Sequence, residues 1–242
     1  MPATSPRALA ADRTHLLRGV PGALSRGKTG SLVATLALAL FAVIFGLVRS
    51  KRSAATDVAI TMKFQRRRHP WLARSMEIAS WPGFPPQSRL IPPALVAALW
   101  VVGLRLEAAF QLLAWGTSGI SYVFKSIMRR PRPQQGEIQV AIARIGGTSF
   151  PSGHVLAYMG NYGFLAYLAY TLIQPDRLRR AVVGAMISLV SLVGPSRIYL
   201  GHHWATDVLA SYLLGTSYLI GLTAVYRRVK SWVTGVPMSP RR

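Results

Sequence analysis

The 242-residue chain contains no cysteine. That excludes a disulfide scaffold, a thiolate zinc site, an iron–sulfur cluster and a cysteine nucleophile. Acidic residues are almost as scarce, 7 against 29 basic ones. Charged residues make up only 15% of the chain, well below the roughly 25% usual for soluble domains. Neither an internal repeat nor a Rossmann or P-loop glycine pattern is present. The apolar share of 51% and a mean hydropathy of +0.31 exclude disorder for most of the chain. A net charge of +22 points to nucleic acid or anionic lipid as a partner.

The placement of the charges decides between these two. Six stretches carry none: Leu32–Val48, Leu90–Leu104, Ala108–Phe124, Val155–Pro175, Ala181–Ser196 and Val208–Tyr226. A helix crosses a bilayer with about 20 mostly apolar residues, within a range of about 17–25. The two shorter stretches reach that length by borrowing flanking residues. The reading is an all-α, polytopic membrane protein with six transmembrane helices. Leu32–Val48 is kept as a span because it is longer than a signal-peptide core and Arg49, Lys51 and Arg52 follow it directly. The basic residues gather in the gaps between spans, as headgroup contacts and topology signals, so nucleic acid is not an expected partner.

This divides the chain into a basic N-terminal tail over 1–30, a six-span domain over 31–228 and a basic C-terminal tail over 229–242. The N-terminal tail is loose, or at most carries a surface-lying helix around Ala8–Leu17. The first loop is long. Within it Asp57–Phe64 alternates at helical spacing, and His69-Pro70 opens a second short segment ending at Ala79. Both are expected as interfacial helices, apolar side to lipid, with Arg66, Arg67 and Arg68 toward phosphates.

Two later loops carry the chemistry. One runs from Lys125 through Arg132-Pro133 to Pro151-Ser152-Gly153-His154. The other holds Ser196-Arg197, then His202-His203 and Asp207. Lys125, Arg132 and Arg197 can converge on one anion, Arg gripping phosphate bidentately and Lys acting as a point charge. Ser152-Gly153 stands where a span begins, and a helix N-terminus offers free N–H groups to phosphate oxygens. His154 and His203 can supply an acid and a nucleophile. Asp207 follows His203 by four residues, so on a helix the two share one face and the carboxylate can hold the imidazole. Two spans separate the loops, which therefore emerge on the same side of the membrane.

In order, Lys125…Arg132-Pro133, Pro151-Ser152-Gly153-His154 and Ser196-Arg197…His203…Asp207 match the pattern K-x6-RP, PSGH, SR-x5-H-x3-D. This resembles the type 2 phosphatidic acid phosphatase superfamily, over roughly residues 55–228. The family's bacterial members are membrane phosphatases for phospholipids, isoprenoid diphosphates or lipid A. Soluble acid phosphatases and vanadium haloperoxidases share the same site. The resemblance implies a phosphohistidine on His203, oriented by Asp207. His154 would protonate the leaving oxygen, and Lys125, Arg132, Arg197, Ser152 and the Gly153 amide would hold the phosphoryl oxygens. No metal or cofactor is implied, and a phosphorylated lipid is the expected substrate. A lipid phosphotransferase, passing the phosphoryl group to a second lipid, is the alternative, since only the acceptor differs.

Other residues receive structural readings. His202 is expected to be structural, Glu107 to pair with Arg105 across a turn, and Tyr199 and Trp204 to anchor at the interface. Arg129 and Arg130 stand between a second phosphate and lipid headgroups. Basic residues divide almost evenly between the two sides of the membrane, so charge does not fix the orientation. The resemblance implies a site that faces away from the cytoplasm, with both termini cytoplasmic, and a bacterial inner membrane is taken as the default setting.

Overall fold

The computed structural model describes residues 27–67, 69–134, 136, 138–140 and 146–235. Most of the expected N-terminal tail, the helix around Ala8–Leu17, Arg68 and residues 236–242 lie outside these.

The described chain is nearly all helical. Its elements are α1 (Gly27–Arg49), α2 (Ala54–Gln65), α3 (Pro70–Ser80), a 3-10 turn (Trp81–Gly83), α4 (Gln87–Val101), α5 (Arg105–Trp115), α6 (Thr117–Met128), α7 (Gly153–Leu172), α8 (Asp176–Tyr199) and α9 (Ala205–Thr234). Three of them, α1 from Lys28, α8 and α9, are long and apolar enough to cross a membrane. On α1, Leu32, Val33, Leu36, Leu40 and Val43 are exposed. Water does not tolerate so long an apolar stripe, whereas lipid does. The 30 residues of α9 extend about 45 Å at 1.5 Å per residue. That exceeds a hydrocarbon core of about 30 Å, and the last turns carry Arg227, Arg228 and Lys230.

The helix α7 is the hub, packed against α5, α6, α8 and α9, while α1 packs along α9 and α4 along α5. Lipid tails are as apolar as leucine, so tight van der Waals contact at small residues holds such helices together. Gly160 on α7 shows the effect, because a Cβ there would overlap the Ala114 carbonyl and the Thr117 side chain. The same place explains a departure from the sequence reading. The expected single segment Ala108–Phe124 is two helices, α5 and α6, meeting at Gly116. At that junction the hydroxyl of Thr117 turns back to the Ala114 carbonyl at 3.0 Å.

Two apolar clusters lie toward the end that carries both motif loops. One joins Phe41, Ile44, Met128, Phe150 and Leu214; the other joins Val155, Tyr158, Val193, Ile198 and Val208. A third, around Phe110, Phe164, Leu168 and Tyr226, is close to Glu107. That carboxylate does not pair with Arg105 as expected. It accepts from Tyr226 at 2.7 Å and from Lys230 at 3.0 Å, because Glu107 is buried and faces α9.

Both first-loop segments are helical, α3 behind a His69 N-cap with Pro70 in its first turn. The face that α2 buries is polar: Asp57, Thr61 and Gln65 point inward while Met62 and Phe64 are exposed.

Candidate active site

Both motif loops are pinned by backbone geometry. After Lys125 the helix α6 ends with Arg129 in the left-handed region, φ 47°, and the chain turns into Arg130-Pro131-Arg132-Pro133. Ser149 ties the far end of this loop to its start, its N–H donating to Arg130 O at 2.8 Å and its hydroxyl to Pro131 O at 3.0 Å. Lys125 Nζ donates to Thr148 O at 2.6 Å. Ser152 is the N-cap residue of α7, but its hydroxyl makes no capping bond. Its N–H donates to Ser211 Oγ at 2.8 Å, which fastens the start of α7 to α9.

His203 lies between α8 and α9, almost wholly buried. Its Nδ1 is 2.8 Å from Ser149 O. A carbonyl only accepts, so Nδ1 carries the proton and Nε2 keeps its lone pair. Arg132 Nη1 stands 3.1 Å from that Nε2 and donates to His202 O at 2.7 Å. Burial, and then the positive charges of Arg132, Arg197 and Lys125, hold the His203 imidazole well below its ordinary pKa. It is therefore neutral at neutral pH, with an unprotonated nitrogen aimed into a cationic site.

Arg197 is fully buried near the end of α8. Its Nη1 reaches Ser80 Oγ at 3.3 Å, and its guanidinium carbon lies 4.9 Å from the Phe84 ring centroid. The same Phe84 ring meets the His154 ring edge-on at 4.9 Å. Arg197 Nε and Nη2, Ser152 Oγ and His154 Nε2 are buried without a protein hydrogen-bond partner. An unmatched buried polar group costs about 1–3 kcal/mol, and these four atoms on motif residues leave hydrogen-bonding capacity available to a bound anion. Among the described residues, no three His, Asp or Glu side chains cluster as a metal site.

Asp207 departs from the sequence reading. The helix α9 starts at Ala205, so His203 and Asp207 do not share a helical face. The carboxylate occupies the first turn, where it accepts from Trp204 N at 2.9 Å and from Arg130 Nη1 at 2.6 Å. Its Oδ2 is 3.7 Å from His203 Nδ1. Trp204 is buried, its Nε1 donating to Pro131 O at 3.2 Å, and so is not the expected interfacial anchor. The sequence reading set Arg130 against a second phosphate or lipid headgroups, but its guanidinium is taken up by two carboxylates. It bridges Asp207 to Asp57, with 2.6 Å to each carboxylate.

The sequence-predicted residues thus meet at one end of the bundle, on the C-terminal end of α6 and the loop after it, the N-terminal turn of α7, the C-terminal end of α8, and the loop before α9 with its first turn. A family model described as the PAP2 superfamily matches residues 106–231. The chain belongs to the PAP2 superfamily. Phosphatidylglycerophosphatase B of Bacillus subtilis (strain 168) is 27% identical over 179 residues, 72% of this chain and 85% of that protein. Among solved structures, a transmembrane PAP2-type phosphatidylglycerolphosphate phosphatase from Bacillus subtilis superposes with a TM-score of 0.69 at 22% identity. The match covers 86% of this chain and 98% of that one. Aquifex aeolicus LpxE superposes with a TM-score of 0.51 at 21% identity, over 69% of this chain and 93% of its own. These PAP2 likenesses and the three long apolar helices identify an integral membrane protein.

Proposed function

We propose that this PAP2 protein is a phosphatase for a phosphorylated membrane lipid, acting through a phosphohistidine on His203 without a metal ion. The carrying observation is the neutral His203 ring, its Nδ1 proton held by Ser149 O and its Nε2 facing Arg132. In this reading Nε2 attacks phosphorus in line. Lys125, Arg132, Arg197, Ser152 Oγ and the Gly153 amide take the charge of the equatorial oxygens, as preorganised donors do for phosphoryl transfer. His154 Nε2 protonates the leaving oxygen. It then takes a proton from the water that attacks phosphorus and releases His203. Asp207, 3.7 Å behind Nδ1, stabilises the positive ring of the intermediate.

In this reading six crossings are made by α1, α4, the broken pair α5–α6, α7, α8 and α9. The site then sits at headgroup depth at one end of the bundle, where charged groups avoid burial in hydrocarbon. A bacterial inner membrane with the site facing out is the proposed setting. The Bacillus subtilis relatives are named for phosphatidylglycerol phosphate, which makes that lipid the first candidate substrate.

The test is a phosphate-release panel with purified protein in detergent and excess EDTA. It spans phosphatidylglycerol phosphate, phosphatidic acid, a polyprenyl diphosphate and lipid A. Release from at least one of them is expected, with vanadate inhibiting as a five-coordinate mimic. Activity that vanished in EDTA and returned with Mg²⁺ would overturn the metal-free chemistry.

A further inference from the structure

The polar face of α2 is the most informative feature outside the three-part motif. The helix belongs to the first loop, far in sequence from the reacting residues, yet its buried stripe reaches both motif loops. Asp57 Oδ2 accepts from Arg130 Nη2 at 2.6 Å and from Thr206 Oγ1 at 2.8 Å. Its Oδ1 accepts from Thr206 N at 2.9 Å. Arg130 in turn donates to Thr206 Oγ1 at 2.8 Å and to Asp207 Oδ1 at 2.6 Å, and its guanidinium lies over the Trp204 ring. Two turns along α2, Gln65 donates to Gln139 O at 2.6 Å and Tyr199 O at 2.9 Å, and accepts from Gln139 N at 3.0 Å. The helix therefore clamps the Lys125–His154 loop to the end of α8 and the start of α9.

We propose that Asp57 is a positioning residue of the hydrolytic site, acting through Arg130 and Thr206 to hold Asp207 behind His203. The proposal rests on the phosphatase reading above. Asp57 accepts the backbone N–H of Thr206, a residue of the first turn of α9, and so fixes the turn from which Asp207 projects. It also shares the single positive charge of Arg130 with Asp207. One guanidinium between two carboxylates leaves the group with a net negative charge beside His203. That charge favours the positive ring formed when Nε2 bonds to phosphorus. Without Asp57, Arg130 neutralises Asp207 alone and the stabilisation is lost.

The consequence separates positioning from a merely structural role. Removing a negative charge near a cationic phosphate site does not weaken binding of an anionic substrate, whereas it slows formation of the cationic intermediate. Asp57→Asn keeps the size and an acceptor for Thr206 N. In detergent micelles, with the most active lipid of the panel, its kcat is expected to fall about 10- to 100-fold, the scale of supporting-partner losses. KM should stay the same or decrease, and the thermal midpoint should stay close to that of the parent. Combined with Asp207→Asn, the second substitution should add less than about a further two-fold, because both act on one network. Thr206→Val, which removes the hydroxyl shared by Asp57 and Arg130, should also lower kcat with KM unchanged, and it serves as the test if Asp57→Asn does not fold. A parent-like kcat in the folded Asp57→Asn variant, multiplying defects in the double variant, or a raised KM with an unchanged kcat would each overturn the role. An inactive parent protein would instead overturn the phosphatase reading itself.

Discussion

His203 gives its Nδ1 proton to the Ser149 carbonyl at 2.8 Å, while the nearer oxygen of Asp207 stands 3.7 Å from that nitrogen. Tautomer and charge are therefore handled by different groups, the backbone fixing the first and the carboxylate supplying the second. In a Ser-His-Asp triad an Asn in place of the Asp leaves the wrong tautomer and costs about 10⁴-fold. Here Asp207→Asn leaves the tautomer in place. The expected loss in kcat is about 10²-fold, the size of one lost electrostatic stabiliser. Steady-state kinetics check this, and a loss as large as the triad value would assign the tautomer to Asp207.

The His203 ring should titrate abnormally. Burial and three cations lower its pKa, so the neutral form, the proposed nucleophile, persists as pH falls below the ordinary imidazole value of about 6.5. Protonation, and loss of the nucleophile, comes only at more acidic pH. Arg132→Gln removes the largest of the positive charges acting on the ring and should move that titration to higher pH. Imidazole ¹⁵N NMR of the detergent-solubilised protein reads it directly. A shift to lower pH in the variant would contradict the electrostatic account.

The acid is expected to be separable from the nucleophile. His154→Ala should lose about 10²–10⁴-fold on a lipid substrate, the range of general acid catalysis. With an aryl phosphate, whose leaving group needs no proton, it should keep most of the rate of the first step, read as the burst of aryl alcohol, while turnover stays slow because the attacking water still lacks its base. Gly83→Ala should behave similarly, because a Cβ at Gly83 would overlap the edge of the His154 ring and push the imidazole from its place beside Phe84. Comparing the two substrates in both variants tests this. Equal first-step defects on both substrates would remove His154 from the leaving-group side.

Sidedness follows from the two loops. With single cysteines placed at Gln134 and at Gln174 in this cysteine-free chain, an impermeant thiol reagent should label the first and spare the second. The assay uses intact cells with any outer membrane permeabilised. Labelling only at position 174 would invert the topology.

The local motifs were legible because each is a short run of residues whose chemistry is unusual in an apolar chain. Lys125, Arg132, Arg197 and the two histidines stand out from uncharged spans. Long-range partners were not legible. Arg130 and Asp57 are 73 positions apart, and no local pattern marks them as a pair. A weak signal existed in hindsight: Asp57, Thr61 and Gln65 recur every four residues on a segment whose other face is apolar, in a chain with only 7 acidic residues. Glu107 was misassigned for the same reason, since a turn neighbour is visible in sequence and Lys230 on α9 is not. Six uncharged stretches were legible, but the break at Gly116 depends on how closely α7 approaches, a tertiary effect that periodicity does not encode.

The central claim is a covalent bond between phosphorus and His203. In the proposed mechanism water attack needs His154 as a base, so His154→Ala with an aryl phosphate should form the intermediate and break it down slowly. The most direct measurement is an alkaline quench of that reaction, followed by peptide mapping by mass spectrometry. The account predicts one phosphoryl group on His203, stable in alkali, lost in acid and missing from the His154→Ala/His203→Ala double variant. A protein that releases phosphate under the same conditions while carrying none on His203, or carrying it on another residue, would contradict the account.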